Sequence, residues 1–68
     1  MDTEIVVFLQ DFGSLVGYKS NIVPRVGEKI KLSHFGLFKV TEVAYYISDD
    51  SSLLDNHLMY VTIMVERS

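Results

Sequence analysis

Three stretches of this chain are apolar on both faces of an extended backbone. Ile5-Val6-Val7-Phe8-Leu9 and Val43-Ala44-Tyr45-Tyr46-Ile47 carry no charge, and Leu58 to Val65 is interrupted only by Thr62. β-Branched and aromatic residues dominate them, and such residues favour a pleated, half-buried surface. A strand in a one-sided sheet alternates apolar with polar residues, whereas one that is apolar throughout needs cover on both faces. Helices provide that cover in α/β proteins. The only candidate here, Asp11–Ser20, is short and interrupted by Gly13 and Gly17, each costing about 1 kcal/mol relative to alanine in a helix. A 68-residue chain must therefore hide this surface by curling its sheet and by resting against a neighbour. The expected class is all-β, in one domain spanning residues 1–68.

The remaining segments place the turns. Thr3–Gln10 is the first expected strand. Asp11–Asn21 reads as a long loop with at most one short helical turn, or a short extended piece near Val16–Lys19. In Ile22-Val23-Pro24-Arg25-Val26-Gly27-Glu28, proline fixes φ and pushes Val23 toward an extended conformation, while Gly27 tolerates positive φ. Glu28–Leu32 alternates, with Ile30 and Leu32 inward and Lys29 and Lys31 outward. Ser33-His34-Phe35-Gly36 makes a short hairpin connection into Leu37–Ile47. Within that strand Phe38 and Val40 share one parity while Val43, Tyr45 and Ile47 share the other, so a bulge or bend is expected at Thr41–Glu42. Ser48–His57 is a polar loop, and Leu58–Glu66 is the closing strand. A small five-stranded SH3-like barrel or a strongly bent antiparallel sheet fits this pattern, with an OB-like barrel as the alternative.

Val23-Pro24-Arg25-Val26-Gly27-Glu28-Lys29-Ile30, followed by Phe38-Lys39-Val40-Thr41-Glu42-Val43, resembles a pattern in small bacterial and phage-associated SH3-like barrel proteins. In these a proline turn delivers a Gly-acid-x-Ile/Val segment into one strand. The resemblance covers about Ile22–Ile47 and the apolar last strand. It implies a small barrel and a setting in a larger bacterial or phage assembly, and it carries no catalytic residue across. The opening segment with its glycines and the acidic Ser48–His57 loop depart from the pattern.

The chain offers little for catalysis. It has no cysteine and only two histidines, His34 and His57, in separate expected loops. No nucleophile elbow or phosphate-cradling glycine loop is present. The acidic loop supplies Asp49, Asp50, Asp55, Asn56 and His57, but their spacing misses the alternating register of an EF-hand and supplies too few nitrogen ligands for zinc. It reads as a solvated turn. No catalytic, cofactor-binding or metal-binding residue is assigned, and the chain is expected to be no enzyme. Nor is a small-molecule substrate expected. The absence of cysteine suits the reducing cytoplasm. No apolar run approaches the ~20 residues that cross a bilayer, and the opening Met1-Asp2-Thr3-Glu4 lacks the basic and apolar regions of a secretory signal.

Two functions from different classes remain. The surplus of apolar strand points to an oligomerising or protein-binding module, its contact carried by Tyr46, Leu58, Tyr60 and Met64. A slip of one residue in the last strand would exchange these for Tyr45, Met59, Val61, Ile63 and Val65. The long last strand, which lacks proline, is also expected to serve in edge pairing. The alternative is a nucleic-acid-binding barrel using Lys29, Lys31, Lys39 and an exposed aromatic. The net charge of −3 weighs against that alternative, because phosphate neutralisation dominates such binding.

Overall fold

The computed structural model describes residues 2–48 and 57–68. These form five strands: β1 (Thr3–Leu9), β2 (Gly13–Ser20), β3 (Lys29–Leu32), β4 (Gly36–Ser48) and β5 (His57–Arg67). They make one sheet in the order β2-β1-β5-β4-β3. Three pairings are antiparallel, while β1 and β5 run parallel. The sheet curls through 221° into a half-barrel. The Ser48–His57 loop falls almost wholly outside the described residues.

The central position of β5 explains its composition. From Val61 to Val65 it is flanked by β1 on one side and β4 on the other, and its inner face holds Val61, Ile63 and Val65 essentially out of solvent. Ile5 and Val7 from β1, and Phe38 and Val40 from β4, complete a fully buried core. Leu9, Leu15, Val16, Tyr18, Val23, Ile30, Leu32 and Val43 pack around it. Register links these residues into cross-strand rows: Val16, Val7, Ile63 and Val43 form one, and Tyr18, Ile5 and Val61 another.

Two expectations are corrected here. Asp11–Asn21 is no long loop, since Gly13–Ser20 forms a strand against β1. Its alternation is hidden because Leu15 is an extra residue in the ladder: Val7 faces Val16 and Phe8 faces Ser14. Leu15 and Val16 thus both reach the core despite being adjacent. Edge pairing through the last strand is also confined to His57–Tyr60, because from Val61 to Val65 β5 lies between β1 and β4.

The bend in β4 lies where the parity change put it. Val40 pairs with Val65 and Glu42 with Met64, leaving Thr41 unpaired between them. The Thr41 hydroxyl donates to the Met64 carbonyl at 3.1 Å, which satisfies an acceptor beside the interrupted ladder. The proline turn is tied down in turn. Gly27 has φ of +94°, a conformation that residues with a Cβ rarely adopt. Its N–H donates to the Val40 carbonyl at 2.9 Å. The Arg25 N–H donates to the Glu28 carboxylate at 2.6 Å, and the Val40 N–H to the Glu28 carbonyl at 2.9 Å.

Tyr18 provides a pH-dependent readout of this packing. Burial raises its phenol above the usual value of 10.0, because desolvation disfavours the anion. The folded state therefore holds this proton more tightly than the unfolded chain. The associated stability is present below pH ~10 and is lost as pH rises through the folded value. Urea midpoints measured from pH 8 to 11 should fall at the alkaline end, and Tyr18→Phe should flatten that decline.

Candidate interaction surface

The outer face of the sheet carries the second set of apolar residues. Three cross-strand rows define it. Glu42, Met64 and Phe8 align across β4, β5 and β1; Ala44, Thr62 and Val6 form the next row; Tyr46 and Tyr60 form the third. Rows on one face are two residues apart along the strand, about 7 Å. A row with small side chains at Ala44 and Thr62 thus lies between two rows of large ones. The result is an open trough of about 450 Å³, lined by Phe8, Glu42, Ala44, Tyr46, Tyr60, Thr62 and Met64. One wall is a tyrosine stack, the Tyr46 and Tyr60 rings lying 4.6 Å apart between centroids and 12° from parallel.

A second apolar surface lies at the end of the β4–β5 ribbon. β4 has 13 residues and β3 only four, paired with Gly36–Lys39. The later half of β4 therefore has no β3 neighbour. Tyr45 follows the inward parity and pairs with Val61, yet it is 57% exposed. Tyr45 and Tyr46 are adjacent and take opposite faces, yet both are exposed, because among the described residues no strand curls over the inner face here. A second irregularity follows: Tyr46 pairs with Tyr60 and Ile47 with Leu58, so Met59 has no partner in the ladder. Ile47 is 58% and Met59 57% exposed, and Leu58 is also exposed.

Of the four residues expected at a contact, Tyr46, Tyr60 and Met64 thus line one trough, with Tyr60 and Met64 half-buried there. Leu58 leaves their face because of the extra residue at Met59 and joins Ile47 at the ribbon end. Val61, Ile63 and Val65, named by the slipped parity, are core, whereas Tyr45 and Met59 from that same set are exposed. Phe8, Glu42, Ala44 and Thr62 were missed as trough residues. The signal for them was present in the alternation of small and large side chains on one parity of two strands, but reading it required knowing that β4 and β5 pair.

Lys29 and Lys39 face each other directly across β3 and β4, and Lys31 faces Leu37. All three lysines are exposed. Lys39 also faces Glu66 across β5. The lysines and the tyrosine stack stand at opposite ends of β4, separated by Glu42, with about 20 Å of strand from Lys39 to Tyr46. Arg67 belongs to the lysine end, its guanidinium 5.3 Å from the Phe38 ring centroid and donating to the Phe35 carbonyl at 3.3 Å.

Among the described residues no three acidic, histidine or cysteine side chains are grouped as a metal site would require; most of the acidic loop (Asp49, Asp50, Asp55 and Asn56) and the side chain of His57 lie outside those residues. Nor is any helix among them long and apolar enough to cross a membrane. No family model, curated protein or solved structure matches the chain.

Proposed function

We propose that the chain is a non-enzymatic protein-binding module that associates with its own copies, as a subunit of a larger assembly. The observation that carries this reading is the ribbon end, where Tyr45, Ile47, Leu58 and Met59 are exposed on two paired strands, with Tyr46 exposed on the opposite face. Contiguous apolar patches of this kind mark interaction sites on soluble proteins. Small size adds to the argument, because a domain of this length buries only ~60% of the surface its unfolded chain exposes. Each Leu, Ile or Met side chain fully removed from water contributes roughly 1.5–3 kcal/mol. In a two-fold contact every such residue counts twice, enough to offset the several kcal/mol that association costs.

Light scattering across a concentration series tests the reading. The particle mass should rise above the 7.8 kDa of one copy as concentration increases. A mass of one copy at every concentration would end the self-association reading.

The nucleic-acid alternative draws on the Lys29–Lys39 pair, since like charges directly opposite one another destabilise a ladder and an anion would relieve them. Glu66 beside Lys39, and Glu42 between the lysines and the tyrosines, oppose a phosphate track along this face. The expected result is therefore elution from heparin without retention at low ionic strength. Retention that falls steeply with salt and is lost in Lys29→Glu/Lys39→Glu would favour the alternative.

A further inference from the structure

The outer-face trough has a chemical bias that the interaction reading does not use. Among the described residues its lining contains one carboxylate, Glu42, and no cationic side chain. The opposite wall is the apolar body of the Tyr46–Tyr60 stack. Ala44 and Thr62 form a short floor between them, and Met64 and Phe8 extend the wall beside Glu42. From Glu42 to Tyr46 is four residues of strand, about 13 Å, the reach of one long side chain with the backbone around it.

We propose that this trough binds an arginine side chain presented by an extended segment of a protein partner. The guanidinium pairs with Glu42 through its planar fork. The methylene stem lies over Ala44 and Thr62, and flanking apolar residues of the segment rest on Met64, Phe8 and the exposed part of Tyr46. Charge complementarity selects this occupant over others. An acidic segment would face Glu42 with nothing to neutralise it, and a wholly apolar one would bury that carboxylate unpaired, which is costly. Nucleic acid is disfavoured by the same carboxylate. The proposal rests on the protein-binding reading and supplies the chemistry of the partner. It does not depend on self-association, which is measured separately by particle mass.

The test is a titration of isotope-labelled protein, followed by amide and side-chain chemical shifts. The ligands are an acetylated, amidated pentapeptide, Ser-Leu-Arg-Leu-Ser, and two counterparts with Leu or Glu in the central place. Saturable shifts at Ala44, Thr62, Tyr46 and Tyr60 are expected with the arginine peptide, weakened by added salt. Glu42→Gln should weaken binding about fivefold, the range of a partly exposed ion pair. Ala44→Leu should remove binding by filling the floor while leaving the fold intact, as read from unchanged shifts at Val61, Ile63 and Val65. Equal binding of the leucine peptide would overturn the proposal by showing that charge is irrelevant. Shifts confined to the ribbon end, or none, would overturn it too. Particle mass measured on the same samples reports whether self-association stands or falls independently.

Discussion

Phe38→Ala should leave the chain largely unfolded at 25 °C. Phe38 is the largest of the fully buried side chains, and its position gives it two further roles. It pairs with Ile30 on β3 and with Arg67 on β5, so it joins the short edge strand to the centre of the sheet. Its ring supports the Arg67 guanidinium, which in turn holds the β3–β4 turn through the Phe35 carbonyl. Truncating a buried phenylalanine to alanine costs about 3–5 kcal/mol. A single core in a chain of this length rarely supplies more than ~3–5 kcal/mol in total. The loss is thus comparable to the whole stability of one copy. Circular dichroism and the dispersion of amide resonances measure it directly. Phe38→Leu is the control: it keeps most of the volume and should remain folded with a lower melting temperature. A Phe38→Ala chain that melted like the parent would mean that β3 and the turn after it contribute nothing to the cooperative unit.

The elements that sequence reasoning placed well are those whose pattern is local. Glu28–Leu32 alternates because its outer face meets only solvent, so Ile30 and Leu32 announce the inside directly. The break at Thr41 was legible because Phe38 and Val40 on one parity and Val43 on the other cannot share a face without an extra residue between them. β2 was obscured by a bulge of the same kind. Leu15 and Val16 are adjacent and both packed, and Gly17 and Gly13 add no side chains to mark the alternation. Where a bulge falls between strong hydrophobes it is readable; where it falls among glycines it erases the strand.

The parallel contact between β1 and β5 was not legible. Both strands are apolar on each face, which shows that they are covered without showing by what. Their pairing depends on the path of the intervening chain rather than on any residue within them. The same ignorance of pairing hid the trough. Ala44 and Thr62 are unremarkable singly and become a floor only when β4 lies beside β5. The exposure of Tyr45 was not legible for a different reason, since alternation reports which side of a strand a residue takes and not whether anything covers that side.

Replacing Ile47 and Met59 together by lysine should abolish self-association while leaving the single copy folded. Both side chains are more than half exposed, and neither belongs to the core. Met59 is the extra residue of the β5 irregularity, so its replacement disturbs no ladder pairing. Away from buried groups such substitutions change stability by about 0.5 kcal/mol or less. In a two-fold contact the pair removes four apolar side chains and brings four like charges together. Even partial burial of those groups is worth roughly 3 kcal/mol, or about two powers of ten in dissociation constant. Light scattering should therefore give the mass of one copy at concentrations where the parent chain is larger, and the melting temperature of dilute samples should be unchanged. Tyr46 is the poorer choice for this purpose, because its loss would also break the stack with Tyr60 and alter the trough. If the double variant associates as the parent does, the contact lies elsewhere, and the unpaired outer edge of β2 is the next surface to block. Gly17→Lys, at an exposed position of that strand where a Cβ meets only the Ile5 carbonyl oxygen at 3.8 Å, would put a charge on the edge and so separate pairing through β2 from packing at the ribbon end. Its cost to the β1–β2 ladder would be read from the melting temperature, and its effect on association from particle mass.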